Sequence, residues 1–583
     1  MTTAITASRL AAEEEQRRQP AGPQDAGPAS AAAADAAVEA PRVGIFPARP
    51  VPLEERPLWL TLAYIASGLL MFMTQGLGMN IVSANLYQLQ GTFSATVAEV
   101  AALSAAYMAP YASLSLALFK IRMQYGLRPF AELSIGVFVL ASCLNLFVTD
   151  FHSALVVRFL SGMAAAPLSS LGFLYILEAF PPQRKLTVGL CIALTGTLLA
   201  APVARIISPD LLGLDGYQAL YTMELGLALI ALPVIYALPL TVPPRVKAIE
   251  RLDIFTYLLL AGGLGALAVF FTLGRFYWWF EAPWLGLLLA FSIVALTIFG
   301  MIELRRQNPL LDLRWIFSRQ NLHLAGVLIV FRTLTAEQSS TMVGFLQQLG
   351  IQNDQMTTLF SLILLASVLG GAACAVFMMR NLPGTAHVLA LGLIALGAFL
   401  DSQSSNLSRP EQFYLSQSMI AFGAALFLPP VMSRGFAAAI QKGPPYLVNF
   451  IAIFLFTQIS GSVIATGLLG TFVTIREKFH SSILTENIRL TDPDVALRVS
   501  QLAGGYARVI TDKVLLNAEG LALLAQQVSR EAYMLAYNDT FLLIGVAATL
   551  ALISLLLHLA SDRLRAWSAR RPAGEEAASS HQV

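Results

Sequence analysis

Long uninterrupted apolar runs are the feature that most constrains this chain. A helix that crosses the hydrocarbon core of a bilayer needs about 20 mostly apolar residues. The sequence contains fourteen such segments: 58–84, 97–119, 129–148, 152–178, 186–208, 217–240, 253–274, 282–304, 321–346, 355–379, 384–402, 411–432, 446–472 and 537–560. The runs are continuous and do not alternate, which excludes a membrane β-barrel. The sequence therefore predicts an all-α polytopic membrane protein with 14 transmembrane helices.

Composition excludes several other classes. Of the 583 residues, 56% are hydrophobic and 12% are charged, whereas soluble proteins carry roughly 25% charged residues. So few charges cannot cover the surfaces of the several soluble domains that a chain of this length would form. The net charge of +2 supplies no general basic field for nucleic acid. These values argue against a soluble enzyme and a nucleic-acid-binding protein.

The two ends of the chain differ from the rest. Residues 1–57 are rich in Ala, Pro, Glu and Arg and predict a disordered tail. This tail lacks the apolar core of a signal peptide, so the first segment should remain in the protein. Residues 561–583 form a second predicted tail. Of the 18 Lys and Arg residues near short loops, 15 fall on one side and 3 on the other when the segments alternate. This bias places both tails in the cytoplasm.

The long loop 473–536 is predicted to lie outside the membrane on the side opposite the tails, and to be helical. Asp492 and Pro493 are typical of a helix start, and Gly504 with Gly505 of a break. After the break, apolar residues recur at spacings of four and three: Val514, Ala518, Leu521, Ala525, Val528, Ala532 and Leu535. We call these residues the heptad seam. The seam could pack on the protein's own surface or dock a partner outside the membrane.

Several motifs resemble one transporter family. "RFLSGMAAAP" at 158–167 resembles the Arg-x-x-x-Gly motif in the fourth helix of major facilitator superfamily exporters, and "PPQRK" follows it at 181–185. "NPLLDLRWIFSRQN" at 308–321 resembles the segment before the ninth helix of the 14-helix drug:proton antiporters, the EmrB/QacA-like multidrug efflux permeases. "GSVIATGLLGTFVTIREKFH" at 461–480 and "REAYMLAYNDTF" at 530–541 resemble the ends of that branch's outer loop.

The resemblance implies a major facilitator fold with two six-helix bundles, 58–240 and 321–560. The linker 241–320 between them would carry two extra helices, 253–274 and 282–304. It also implies proton-driven export from the bacterial inner membrane by alternating access. A periplasmic adaptor, or membrane fusion protein, leading to an outer-membrane channel is a possible partner.

The chain departs from the family pattern at three places. The branch commonly has an Asp in the first helix near Gly78, where this chain has "GLGMNIV". In the cytoplasmic gate loop, "FKIRMQYGLR" keeps only Gly126 and Arg128 of the family motif. In the fifth segment, "APVARI" keeps only Pro202. These departures leave open which acid would carry a proton.

Charged residues inside the segments are candidates for a substrate or proton pathway, because burying a charge in a membrane costs a few kcal/mol. Arg158 in the fourth segment could bind substrate or take part in coupling, or could bond backbone carbonyls. Gly162 and Pro167 of the same segment form a predicted helix-packing motif. Glu224 in the sixth segment could pair with Arg158 or Arg205, or could replace the missing acid.

The second half offers a similar set. Arg332 and Glu337 share the ninth segment but point in different directions, since five residues rotate a helix by about 140°. Asn449 and Gln458 could add polar groups to a cavity, or could form hydrogen bonds between helices.

Enzymatic motifs are missing from the sequence. It contains no His-Glu-x-x-His zinc helix, no Gly-x-Ser-x-Gly elbow and no Walker loop. We therefore expect a secondary transporter without cofactor or metal that exports amphipathic or toxic organic compounds. A weak-acid or lipid carrier with altered coupling, and a transport-inactive receptor or scaffold with the same fold, are the alternatives.

Overall fold

The computed structural model describes residues 57–241, 249–279, 281–486 and 488–569. Throughout these ranges the regular secondary structure is helical, and no strand is present in them. Residues 1–56 and 570–583 of the two predicted tails lie outside the described residues.

Among the described residues, the first part of the chain contains eight helices of more than three residues. They are α1 Leu58–Ala84, α2 Leu86–Phe93, α3 Val97–Tyr125, α4 Leu127–Asn145, α5 Phe151–Glu178, α6 Leu190–Ala237, α7 Arg251–Leu273 and α8 Pro283–Glu303. A short helix at Pro182–Arg184 and a π-helical turn at Lys185–Gly189 lead into α6.

The second part contains nine helices. They are α9 Leu313–Ile316, α10 Arg319–Ala336, α11 Met342–Gln348, α12 Thr357–Met379, α13 Pro383–Asp401, α14 Tyr414–Lys442, α15 Pro444–Glu486, α16 Pro493–Gly504 and α17 Lys513–Ala569. A π-helical turn at Glu337–Thr341 joins α10 to α11, and 3-10 turns at Asn353–Met356 and Pro410–Phe413 precede α12 and α14.

The described residues contain thirteen candidate spans that are long and apolar enough to cross a membrane, and two of them share α6. The predicted ninth segment, 321–346, is not among them. It is nevertheless helical from Arg319 to Gln348, through α10, the π-helical turn and α11. Its polar residues, including Arg332 and Glu337, account for its low apolar content. The all-helical membrane fold is therefore confirmed, and the one predicted span that is not apolar enough to be a candidate span carries two of the predicted site residues, Arg332 and Glu337.

Some boundaries differ from the sequence prediction. The loop expected between the fifth and sixth segments is helical, because α6 runs from Leu190 to Ala237. Gly216 has φ 57°, a left-handed value that glycine adopts without strain. It lies where the two candidate spans Pro182–Gly213 and Gly216–Ala237 meet. The outer loop is helical as predicted, with α16 beginning after Asp492 and ending at Gly504.

Helix packing places α1 against α5 and α6, and α3 against α5 and α7. α12 packs against α6 and α14, whereas α13 packs against α14 and α17. α7 contacts α3, α8 and α15. The extra helix α7 therefore touches both the early and the late parts of the chain.

At Gly162, α5 lies in close contact with the backbone of α3. A Cβ atom at this position would overlap the backbone carbonyl oxygen of Tyr107. A carbonyl group within a helix cannot move aside as a flexible side chain can, so only glycine allows this approach.

We expect Gly162→Ala to destabilise the protein, because the added methyl group forces α5 away from α3. Overpacking of this kind costs typically about 1–3 kcal/mol. Gly136→Ala is the matched control, since a Cβ there meets nothing within 4 Å. Thermal unfolding of both purified variants in detergent measures the effect. Equal midpoints for the two variants would contradict the close approach.

A charged cluster ties α7 and α8 to α3. Arg306 contacts Glu250 at 2.9 Å, Asp253 at 2.7 Å and Glu303 at 3.0 Å. Lys120 at the end of α3 lies 3.0 Å from Asp253. Hydrogen bonds from Arg306 and Asn308 hold the pKa of Glu250 below its usual range.

We expect Arg306→Gln to destabilise the protein on the order of 3 kcal/mol, because it leaves Asp253 and Glu303 buried with less positive charge. A carboxylate with a lowered pKa stabilises the fold above its usual pKa, and this stabilisation is lost as the pH falls. The difference from wild type should therefore shrink below about pH 4. Arg305→Gln, at an exposed neighbour, is the control. Thermal unfolding across pH tests this, and a pH-independent difference would refute it.

Candidate functional site in the membrane-spanning helices

Arg158 is completely buried, on α5. Its Nη2 atom donates a hydrogen bond to the backbone oxygen of Gly78 on α1 at 2.8 Å. The guanidinium carbon lies 4.4 Å from the centre of the Tyr107 ring and 5.9 Å from that of Tyr221. Nε and Nη1 have no hydrogen-bond partner among the described residues. The side chain thus combines the predicted backbone contact with unused donors.

Glu224 on α6 is also fully buried. Neither of its carboxylate oxygens has a hydrogen-bond partner in the described part of the chain. The predicted ion pair with an arginine is not formed there at 4.0 Å or less. Arg205 instead donates to Asn353 at 3.0 Å. Glu224 is therefore a buried acid without a bonded counter-charge.

Gly78 brings these two side chains together. Its carbonyl oxygen accepts the bond from Arg158, and a Cβ atom on Gly78 would lie 2.8 Å from Oε1 of Glu224. The carboxylate of Glu224 therefore lies beside the position where the related branch commonly has an aspartate. The sequence indicates both positions, but their contact depends on the packing of α1 against α6, which lie far apart in the chain.

A polar network continues from this place along α1, α3 and α5. Ser169 donates to Oε1 of Gln75 at 2.6 Å and lies 2.6 Å from the hydroxyl of Tyr111. The Tyr107 hydroxyl donates to the backbone oxygen of Gln75 at 3.2 Å. Gln75 was not among the predicted site residues, although a glutamine within an apolar segment can indicate a polar site between helices.

Arg332 lies in a different place, against α15. Its Nη2 atom donates to the hydroxyl of Ser462 at 3.2 Å. Gln458 precedes Ser462 by four residues and so shares its helix face. The Nε2 atom of Gln458 is buried and has no partner among the described residues. Arg332 and Gln458 thus face one part of the contact between α10 and α15.

Glu337 belongs to a cluster that the sequence did not reveal. The Nε2 atom of Gln417 donates to Oε1 of Glu337 at 2.9 Å and to Oδ2 of Asp401 at 2.7 Å. Gln338 donates to the side-chain oxygen of Gln417 at 3.2 Å. Asp401 was missed because it ends an apolar segment next to a loop, where acids are ordinary.

The remaining predicted residues have structural contacts. Asn449 accepts the backbone N–H of Asp312 at 2.9 Å, which ties α15 to the linker before α9 and does not place it beside Arg332. Pro167 and Pro202 are buried within α5 and α6. In the gate loop, Gly126 has φ 90° and is the only residue between α3 and α4. Arg128 is exposed and pairs with Glu132 at 2.9 Å.

A second group of polar residues joins helices that lie far apart in the chain. Asn353, before α12, accepts the hydrogen bond from Arg205 of α6 and donates to the backbone oxygen of Ala84 at 2.8 Å. Asn85, after α1, donates to Ser208 of α6 at 2.8 Å. We call Asn85, Arg205, Ser208 and Asn353 the polar latch.

The two motifs beside the outer loop contact each other. Asp539 on α17 lies 2.6 Å from Nε of Arg476 and 2.6 Å from Nε2 of His480, both on α15. This contact joins the bases of the two helices that extend into the loop.

Comparisons with known proteins find transporters. The multidrug export protein EmrB of Escherichia coli is 24% identical over 399 residues, which cover 66% of this chain and 73% of EmrB. The methylenomycin A resistance protein of Bacillus subtilis is 25% identical over 242 residues, covering 41% of this chain and 51% of that protein. No protein-family model matches the sequence.

Solved structures share the fold. The human organic anion transporter MFSD10 (TETRAN) superposes with a TM-score of 0.52 at 14% identity, covering 85% of this chain and 100% of that one. A peptide transporter, POT, in complex with sulfate gives a TM-score of 0.53 at 13% identity, covering 88% and 97%. The chain has the major facilitator fold and is similar in sequence to multidrug export proteins. It is thus a multi-pass membrane protein, and the proteins that it resembles are transporters.

Proposed function

We propose that this protein exports amphipathic or toxic organic compounds in exchange for protons, by alternating access. The observation that carries the proposal is the place of Glu224, a buried acid beside Gly78 with Arg158 bonded to the same glycine. An acid that alternately holds and releases a proton, next to a fixed positive charge, is the element that proton antiport requires.

The proposed coupling uses the electrostatics of Arg158. When Glu224 is ionised, its charge attracts the guanidinium group across Gly78. When Glu224 is protonated, Arg158 is left with donors that have no partner among the described residues. Protonation would thus change the charge that a substrate meets at this place, and substrate release would be linked to proton binding.

The architecture that we propose follows the family resemblance. Residues 58–240 and 321–560 would form the two bundles that rock against each other, with α7 and α8 between them. The protein would lie in the bacterial inner membrane with both termini in the cytoplasm. The packing of α7 against both α3 and α15 supports this role for the extra helices.

An acid exchange between positions 224 and 78 tests the coupling. Glu224→Gln should lower proton-driven efflux at least tenfold, because the amide cannot release a proton. The double variant Gly78→Asp with Glu224→Gln should restore part of the activity, because it places a carboxylate next to the lost one. Efflux of a fluorescent dye from inverted vesicles, with and without a protonophore, measures both.

Glu411→Gln, at an exposed acid, is the control for expression and vesicle quality. Full proton-driven efflux in Glu224→Gln would show that the proton passes elsewhere. Efflux that never responds to the protonophore in the wild type would remove proton antiport altogether. A protein that binds compounds but moves none would favour the receptor or scaffold alternative.

A weak-acid carrier is the second candidate. It is favoured by Arg158, since two buried guanidinium nitrogens without partners among the described residues could bind a carboxylate substrate. Transport of aromatic acids in preference to lipophilic cations, lost in Arg158→Gln, would support this candidate over dye export.

The heptad seam supports the proposal of an adaptor partner. α16 covers another face of α17, where the carbonyl oxygen of Val499 comes within 2.6 Å of a Cβ built on Gly520. Val514 is 77% exposed and Leu521 is 40% exposed. The upper part of the seam therefore remains free, while Ala532 lower down is buried. A periplasmic adaptor helix would cover the exposed part, in keeping with the related branch.

We expect Leu521→Asp with Val528→Asp to weaken adaptor binding at least tenfold, because each buried Leu or Val contributes about 1.5–3 kcal/mol. Gln526→Asp adds the same charge at an exposed position off the seam and should bind normally. Co-purification with a co-expressed membrane fusion protein measures binding. Undiminished co-purification of the double variant would assign the seam to the protein's own packing.

A further inference from the structure

Glu337 and Asp401 meet at a single amide group. The structure places Glu337 in the π-helical turn after α10, Asp401 at the last residue of α13, and Gln417 in the first turn of α14. Glu337 and Gln417 are fully buried, and Asp401 is 2% exposed. Because Nε2 of Gln417 donates to both acids, two carboxyl groups are held together out of contact with solvent.

No positive side chain balances this pair. Neither acid takes part in an ion pair within the described residues, and the charge that acts on Glu337 comes from Asp401. From α17, the amide group of Asn538 donates to the backbone oxygen of Ser404. Two like charges this close in an apolar interior cannot both persist.

The end of helix α13 also disfavours a negative charge at this pair. Asp401 lies at the C-terminal end of α13, where the helix dipole is negative and disfavours an anion. Oε2 of Glu337 is buried without a hydrogen-bond partner in the described part of the chain. A proton shared between the two carboxyl groups would remove one charge and give an oxygen a partner. π-helical turns such as the one that holds Glu337 occur frequently at functional sites.

The orientation of Gln417 favours a proton over a metal cation as the species bound by the two acids. Gln338 donates to Oε1 of Gln417, which fixes the amide so that its NH₂ group points at the acids. N–H donors would repel a bound cation, whereas sodium or a divalent ion would need oxygen ligands there. The geometry therefore favours a proton as the bound species.

We propose that Glu337 and Asp401 share one proton and form, with Gln417, a second proton-binding site apart from Glu224. Its part in transport rests on the proposed proton antiport, whereas the shared proton itself does not.

An infrared titration of the purified full-length protein in detergent tests the shared proton. The protonated carboxyl band is followed across pH in wild type, Glu337→Gln, Asp401→Asn and the double variant. If one proton is shared, the pair titrates in wild type in two well-separated steps, each single variant keeps one step at an intermediate midpoint, and the double variant keeps none. Two wild-type steps at the midpoints of the two single variants would overturn the proposal, as would an unchanged titration in either single variant.

Gln417→Leu provides a test that keeps both acids. Loss of the bridging amide should move the midpoint of the shared titration by about one pH unit, the order expected for a hydrogen bond to a charged group. Gln412→Leu, an exposed glutamine of the preceding 3-10 turn, should leave it unchanged. A midpoint that ignores Gln417→Leu, or that moves with added sodium chloride at constant pH, would contradict a proton held by this amide.

Transport measurements then separate the two proposals. With proton antiport, Glu337→Gln and Asp401→Asn should each lower proton-driven dye efflux at least fivefold. A shared titration in a protein whose efflux ignores a protonophore would retain the site and reject the antiport. Proton-driven efflux that survives in both variants, without a shared titration, would reject the site and retain the antiport through Glu224.

Discussion

A charged group inside a bilayer costs a few kcal/mol unless protein groups replace the water that it loses. This constraint organises the interior of the present fold. Arg158 is bonded to a backbone carbonyl and flanked by Tyr107, and Arg205 is bonded to Asn353. Glu224 and Glu337 keep oxygens without partners among the described residues. Arg158 likewise keeps two nitrogens without partners among the described residues. An arginine stays charged in proteins, whereas a buried acid can take up a proton, which places the capacity for change at the acids.

Contacts between early and late helices join the two parts of the chain, and a change in protonation of the buried acids would have to alter these contacts to move one part against the other. The polar latch joins the end of α1 and the middle of α6 to the turn before α12. Closer to the middle of α12, a Cβ at Gly371 would overlap the side chain of Thr195 on α6. These two helices therefore touch along an appreciable length. Alternating access would have to separate α6 from α12 at the latch, and hydrogen bonds between side chains can be exchanged for water more readily than close apolar packing.

Hydropathy located the helices because it needs only local sequence. It overestimated the apolar character of the ninth segment. The helical stretch that contains Arg332 and Glu337 is not apolar enough to count as a candidate membrane span. It correctly separated segments five and six, which form two candidate spans that meet at Gly216 within the continuous helix α6. The site was less accessible to sequence. Glu224 was selected because it is an acid within an apolar run, but its contact with Gly78 depends on the packing of α1 and α6. Asp401 and Gln417 have meaning only as a pair, since neither is unusual alone.

The outer helices depend on a polar contact as well. Asp539 bonds to both Arg476 and His480, so α15 and α17 are fixed to each other where they leave the apolar region. Beyond this point α17 is covered by α16 on one face only, and the seam from Val514 to Ala525 is left exposed. An exposed apolar stripe above this contact is unfavourable for a protein without a partner, because exposed apolar surface promotes non-specific association. The same arrangement favours binding of a partner helix that covers the stripe. The contacts of Asp539 already fix the orientation of α17, so less conformational entropy is lost when the partner binds.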